Sequence, residues 1–286
     1  MLGATHTMVL NEILKLAGCG FESLKTPGGS AMTFGNLLPD SMALVGVLPE
    51  VSHDIKRATR LAGILPALGT GVMVHIFTDN LTHCNNVLDD GNYGASTALR
   101  LGLALMEKTG NKYSELLKNF SARSMAYTLH TVIELAADVL VGEDDFIVAA
   151  IEKAWGDAVK HRQSFVNILK EIYGMDMENL NEESSKFLSM KRPSREEIYS
   201  RKARAEMFLR KFAPKEYSDE QRVSDRAAIM EMIEAGEDMM RGMLSPLVHD
   251  FACRILDFDP ALKDRVVSII QSERFPAPEM EKDEQL

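Results

Sequence analysis

The chain has few cysteines, a single tryptophan and no long apolar run. Its three cysteines (Cys19, Cys84 and Cys253) are far apart and form no CxxC pair, which argues against a disulfide framework and for a reducing compartment. The first residues do not combine a basic segment with a long apolar stretch, so no signal peptide is predicted. No run of about 18 uncharged apolar residues is present to cross a bilayer. These absences predict a cytoplasmic protein without a transmembrane segment.

Positive charge and aromatic side chains are also scarce. The chain has 32 Lys and Arg against 42 Asp and Glu, which gives a formal net charge of −10. Nucleic acids and anionic membranes carry the same sign, and an aromatic content of 7% offers no obvious stacking platform for single strands. A nucleic-acid partner is therefore not expected. A phosphate ester is still permitted as a substrate, because a metal cluster would dominate the field inside its own pocket.

The apolar residues that are present recur mainly with helical spacing. They make up 45% of the chain, and strand patterns are few, so we predict an all-α, multi-helix bundle. The helical patterns fall at 7–16, 53–65, 69–84, 93–108, 111–119, 122–140, 145–173, 195–211, 219–241 and 244–255. Residues 26–50 are predicted to be mostly loop, because Thr26-Pro27-Gly28-Gly29 favours a turn and two further prolines interrupt the rest.

A polar stretch divides this helical pattern into two parts. Residues 175–195 are rich in Asn, Glu and Ser, a composition typical of a linker or loop. We therefore predict a zinc-binding helical body over residues 1–175. Residues 190–275 are predicted to add helices that pack on this body or cap its site.

The most informative motif is HxxxDxxxH. His75, Asp79 and His83 are four residues apart, so successive members rotate by about 40° and share one face of a helix. The apolar residues between them indicate a mostly buried helix, on which polar side chains need partners. His130 and Glu134 form a second pair with the same spacing. Imidazole nitrogens with carboxylate oxygens suit zinc, or less specifically manganese or iron.

Three upstream residues complete an ordered pattern. His6 lies near residue 1, Asp40 ends the phrase GNLLPD, and His53 follows 13 residues later. Each piece alone has an ordinary structural interpretation, since an HxxxD pair is often a hydrogen-bonded pair and Asp40 can be a helix N-cap. The ordered set of eight residues favours a metal site over these separate interpretations.

This ordered set resembles the zinc-dependent phospholipase C family, whose fold is shared with the single-strand-specific zinc nucleases of the S1/P1 type. That family has an early His, an Asp, a His about a dozen residues on, an HxxxD, another His shortly after, and a final HxxxE or HxxxD. The resemblance covers roughly residues 1–140, and the phrases GNLLPD and MVHIFTDNLTH also look like those of bacterial proteins with this domain. It implies a phospholipase C/P1 nuclease-like bundle with additional C-terminal helices.

Carried over residue by residue, the resemblance implies two or three Zn²⁺ ions. The first ion would be held by Asp40, His53, His75 and Asp79, the second by His83, His130 and Glu134, and part of the third by His6 and Asp79. In the family, the amine and carbonyl of an N-terminal Trp complete the third site. Here residue 1 is Met and the single tryptophan is Trp155. Either another N-terminal group substitutes for that Trp, or the third site is weaker or empty.

The function that this resemblance implies is that of a zinc-dependent phosphoric ester hydrolase resembling phospholipase C. A metal-activated water would attack the phosphodiester of a small molecule or a lipid. Asp40 is the carboxylate expected to assist that water. The sequence indicates neither the head group of the substrate nor an oligomeric state.

Two alternatives stay open. His53-Asp54 and His249-Asp250 are also typical of the HD-type metal phosphohydrolases, with His6 and Asp79 in the roles of the further His and Asp that this class needs. That interpretation leaves four residues unexplained: His75, His83, His130 and Glu134. The other alternative is a non-catalytic, metal-binding helical scaffold, which keeps the ligands without a productive substrate cleft. An enzyme needs an open coordination position, whereas a structural zinc site is closed.

Overall fold

The computed structural model describes residues 4–42, 47–83, 97–110, 112–120, 125–174, 195–213 and 218–272. Within these ranges the regular elements are helices and no strand is present, which confirms the all-α prediction. None of the described helices is both long and apolar enough to cross a membrane. The predicted linker lies mostly outside the described residues, so the predicted division of the chain there stays a prediction.

The helices largely follow the periodicity of the sequence. In chain order they are α1 (Ala4–Leu16), α2 (Pro27–Met42), α3 (Pro49–Ser52), α4 (Ile55–Ile64), α5 (Pro66–His83), α6 (Thr97–Lys108), α7 (Ser114–Asn119), α8 (Met125–Val141), α9 (Asp145–Lys160), α10 (Arg162–Tyr173), α11 (Arg195–Tyr199), α12 (Arg201–Phe212), α13 (Asp219–Met240), α14 (Leu244–Phe258) and α15 (Ala261–Gln271), with a 3₁₀ helix at Phe21–Lys25. The pattern at 145–173 is divided into two helices, and α15 lies beyond the last predicted helix.

Contacts along the chain define two compact units. Apart from residue 1, unit 1 consists of residues 79–145 and 192–248. Unit 2 consists of residues 2–78, 146–191 and 249–286. Each unit therefore combines segments that are distant in the sequence.

Helix α2 of unit 2 corrects the prediction that residues 26–50 are mostly loop. Pro27–Met42 is a single helix, with Pro39 inside it. Thr26 stabilises its beginning, because the backbone N–H of Gly29 donates to Thr26 Oγ1 at 3.1 Å. A proline at the first helical position removes no helical hydrogen bond. Nearly every residue of α2 is buried, so packing outweighs the low helix propensity of its glycines and proline.

Close backbone contacts explain why those glycines are needed. A Cβ added at Gly35 would lie 2.1 Å from the carbonyl oxygen of Leu68 in α5, and one at Gly28 would lie 2.3 Å from that of Ile269 in α15. Both distances are far below a van der Waals contact. The glycines that suggested a turn therefore allow α5 and α15 to approach α2.

Unit 1 is organised around α8, which packs against α6, α12 and α13. Its core contains an ion pair, because Arg204 Nη2 lies 3.3 Å from Asp138 Oδ2 and both side chains are fully buried. Arg201 begins α12 and binds Glu237 of α13 through two nitrogens, at 2.7 and 2.9 Å. The segment that contains these arginines is therefore held in its own unit by two buried carboxylates, those of Asp138 and Glu237.

Candidate metal centres

Helix α5 carries the HxxxDxxxH motif and contributes residues to both units. His75 belongs to unit 2, and the boundary follows Thr78, so Asp79 and His83 belong to unit 1. His75 is fully buried, as the apolar flanks of the motif predict. The motif therefore places one ligand-type side chain in unit 2 and two in unit 1.

The group in unit 2 draws its residues from distant parts of the sequence. His6 of α1, Asp40 of α2 and His75 of α5 each offer one ligand atom, and these atoms lie within 4.8 Å of one another. His53 follows α3, and its Nε2 lies 3.2 Å from His75 Nε2. Asp40 Oδ1 is 4.0 Å from the His53 Nε2 and 3.8 Å from the His75 Nε2. Such a group can hold a metal ion.

Backbone carbonyls determine which imidazole nitrogens are available in this group. His75 Nδ1 lies 2.7 Å from the carbonyl oxygen of Asn36. A carbonyl only accepts, so His75 Nδ1 carries the proton and Nε2 keeps its lone pair. His53 Nδ1 lies 3.1 Å from the carbonyl oxygen of Pro49 and 2.8 Å from the hydroxyl of Ser52. The two Nε2 atoms face each other with the Asp40 carboxylate beside them, an arrangement that a cation would stabilise.

Asn36 supports two of these histidines at once. Besides accepting from His75 through its carbonyl, it donates from its side-chain amide to the backbone oxygen of His6, at 3.1 Å. The His6 and His75 rings stack with their centroids 4.1 Å apart and their planes within 9°. Both histidines and Asn36 are fully buried. Carbonyl-anchored imidazoles of this kind are typical of metal ligands held by a second layer of contacts.

The group in unit 1 is the one that the second predicted ion requires. His83, His130 and Glu134 offer ligand atoms within 4.8 Å of one another. His83 Nε2 is 3.0 Å from Glu134 Oε1 and 3.3 Å from Asp79 Oδ1, and His130 Nε2 is 4.0 Å from Glu134 Oε1. The four side chains come from α5 and α8, which each present members one helical turn apart.

Two carboxylates perturb the protonation of His83. Burial by itself lowers the pKa of this imidazole, but the hydrogen bond to Asp79 and the charge of Glu134 outweigh it, so the pKa is raised. The site thus favours a positive charge between these carboxylates. A metal cation satisfies the same requirement and competes with the proton for Nε2.

The sequence prediction and the structure differ in how His6 is grouped. The resemblance implies that His6 shares an ion with Asp79, whereas in unit 2 it lies with Asp40 and His75. Asn36 was not singled out from the sequence. Its only signal is its position in the phrase GNLLPD, because its carbonyl belongs to the backbone and its side-chain amide binds a backbone oxygen that no sequence spacing indicates.

Asp54 has a structural role that weakens the HD-type alternative. Its side chain caps α4 by accepting the backbone N–H of Lys56 at 2.8 Å. It also lies 3.5 Å from Arg57. Asp54 therefore serves as a helix N-cap, in keeping with the preference of this residue type for helix starts. The other HD-type pair, His249-Asp250, lies in α14, and His249 contacts Glu12.

Comparison with known proteins provides no independent assignment. No protein-family model, curated protein or solved structure matches the chain. The case for metal binding therefore depends on the ordered motif and on the two groups of ligand-type side chains.

Proposed function

We propose that this protein is a zinc-dependent phosphoric ester hydrolase that resembles phospholipase C. The observation that carries the proposal is the group in unit 2, where His6, Asp40 and His75 converge within 4.8 Å. In the rings of His53 and His75, Nδ1 lies against a backbone carbonyl and the two Nε2 atoms face each other. The proposed substrate is the phosphoester of a small molecule or a lipid.

The donor chemistry supports zinc over harder cations. Neutral imidazole nitrogens outnumber carboxylates in the unit 2 group, and such mixed nitrogen and oxygen sets suit Zn²⁺. Magnesium and calcium prefer sites made almost entirely of oxygen. The group in unit 1 adds two further imidazoles, from His83 and His130, to two carboxylates.

The proposed roles of the residues follow from the positions of their ligand-type atoms. Bound zinc supplies positive charge and lowers the pKa of a water. The Asp40 side chain is mostly buried, with an exposure of 17%, and its Oδ1 lies 4.0 Å from His53 Nε2 and 3.8 Å from His75 Nε2. We assign it the acceptance of a proton from the attacking water. Phosphoryl transfer needs positioning and charge neutralisation more than a protein nucleophile, which agrees with a site of ligands alone.

The test measures metal content and hydrolysis together. Protein purified without a chelator or a metal-affinity tag is expected to contain two or three zinc ions per chain by elemental mass spectrometry. His75→Ala and His130→Ala should each lose about one ion and lower phosphodiester hydrolysis by about 100-fold or more, because each removes an imidazole ligand. His161→Ala, which alters an exposed histidine outside both groups, is the matched control.

Two outcomes would contradict the proposed function. Parental hydrolysis by the His75→Ala and His130→Ala proteins would overturn the proposed site. Full zinc content with no hydrolysis of any phosphodiester offered would instead support the non-catalytic scaffold. That second candidate is favoured by one observation in unit 1, where His83 Nε2 already contacts two carboxylates, as in a closed site.

A further inference from the structure

A second group of reactive side chains lies in unit 2 and involves none of the proposed metal ligands. Glu12 of α1 accepts from His249 Nδ1 of α14 at 3.0 Å. His249 Nε2 lies 3.6 Å from the sulfur of Cys253, one turn further along α14. The three side chains form a chain of contacts from carboxylate to imidazole to thiol, which we call the Cys253 relay.

The geometry of the relay argues against a metal site. The two ring nitrogens of His249 are on opposite sides of the imidazole, and each contacts a different neighbour. The carboxylate and the sulfur therefore do not converge on one position. The arrangement instead matches that of an activated nucleophile, in which an imidazole oriented by an acid accepts the proton of a thiol.

Electrostatics around Glu12 are consistent with this orientation. The hydrogen bond from His249 is the main cause that lowers the pKa of Glu12, against a smaller opposing effect of burial and with help from Lys15. Glu12 is therefore a carboxylate that accepts from His249 Nδ1. That leaves Nε2 as the acceptor facing Cys253.

We infer that Cys253 is a nucleophilic thiol that forms mixed disulfides with small disulfide compounds, with His249 as its proton acceptor. The site is accessible, because His249 is 56% exposed and Cys253 is half-buried without a disulfide bond. Cys253 lies in the interior of α14, whose backbone N–H groups are used within the helix. The site thus lacks the pair of free N–H groups that acyl transfer needs, whereas disulfide exchange needs none.

The exchange balances without another reactant. The proton of Cys253 moves to His249 Nε2, and the sulfur attacks one sulfur of the disulfide. A new S–S bond forms as the old one breaks, and the released thiolate takes up a proton. Cys253 is oxidised and half of the small disulfide is reduced.

The experiment compares thiol reactivity in the full-length protein at two pH values. The probe is 4,4′-dithiodipyridine, followed by its absorbance, with peptide mass spectrometry to distinguish the three cysteines. At pH 7 we expect Cys253 to react about tenfold faster in the parent than in His249→Gln, because an unassisted thiol is only a few per cent ionised. At about pH 10 the two rates should converge, since hydroxide then replaces the imidazole as the base that removes a thiol proton. A structural effect of the substitution would not disappear at high pH.

Control variants distinguish an effect of the relay from a general effect of substitution. Cys253→Ser should remove the fast phase, and His161→Gln should leave it unchanged. Cys19 is an internal reference, because burial raises the pKa of its thiol. If His249→Gln fails to fold, Glu12→Gln tests the same relay and should also slow the reaction. Equal rates in parent and variants at pH 7, or labelling of Cys253 no faster than of Cys19, would overturn the inference.

Discussion

His75 illustrates how a residue's chemistry depends on its neighbours. The HxxxDxxxH spacing singles out the side chain, but the nitrogen that it offers is determined by the carbonyl of Asn36, 39 positions away in the sequence. The same asparagine holds the backbone of His6. Sequence reasoning found the two histidines because their residue type carries the signal. It missed Asn36, because both of its contacts involve backbone oxygens of residues that no local spacing relates.

Arg204 is a residue whose role only the packing shows. It is fully buried against Asp138, although its segment is rich in basic residues and resembles a solvated face. Arg204→Met is expected to destabilise the protein by about 3–5 kcal/mol, because it leaves the Asp138 charge buried without its opposite charge. The free energy of unfolding in urea provides the measurement. Arg210→Met, an exposed position on the same helix, should change it by less than about 0.5 kcal/mol.

At the scale of elements, the helices with regular apolar spacing were predictable and α2 was not. Its glycines and prolines are typical of turns, yet the helix forms because their small size lets other backbones approach. Local propensity is worth about 1 kcal/mol per glycine, which burial of a whole helix easily exceeds. Asp40 lies in this helix. The prediction of a loop was therefore wrong about the element that positions Asp40, whereas the residue itself was singled out from the sequence.

A pair of glycine substitutions tests this account of α2. Gly35→Ala is expected to destabilise the protein by more than about 3 kcal/mol, because its Cβ would lie 2.1 Å from a backbone oxygen. Gly63→Ala, at an exposed position of α4 with nothing within 4 Å of the added Cβ, should stabilise it by up to about 1 kcal/mol. Thermal unfolding of both variants gives the comparison. Similar small effects at the two positions would show that the close approach of α2 and α5 is wrong.

At the scale of the whole molecule, folding and metal binding are expected to be coupled. Each candidate group joins side chains from different helices, so an ion bound there stabilises the folded chain over the unfolded one. The net charge of −10 also favours the binding of cations. His6, Asp40 and His75 form such a group in unit 2, and His83, His130 and Glu134 form one in unit 1.

Removal and return of zinc test this coupling. Zinc at about 100 times its dissociation constant stabilises by about 2.7 kcal/mol per site, which raises the melting temperature by about 5–10 °C for a chain of this size. Chelator-treated protein should melt lower by that amount and recover when zinc is added. Magnesium at the same concentration is the control and should restore nothing. An unchanged melting temperature throughout would contradict metal binding by the folded state.

The sequence by itself determined the helical class and the choice of ligand-type residues, because periodicity and residue type are local properties. His75 and Asp79, or His130 and Glu134, share a helix face through spacing alone. Only the tertiary structure decided that His6 lies with Asp40 and His75, since their meeting depends on the packing of α1, α2 and α5. It likewise decided the tautomer of His75 and the contact of Glu12 with His249, which join residues that no local pattern relates.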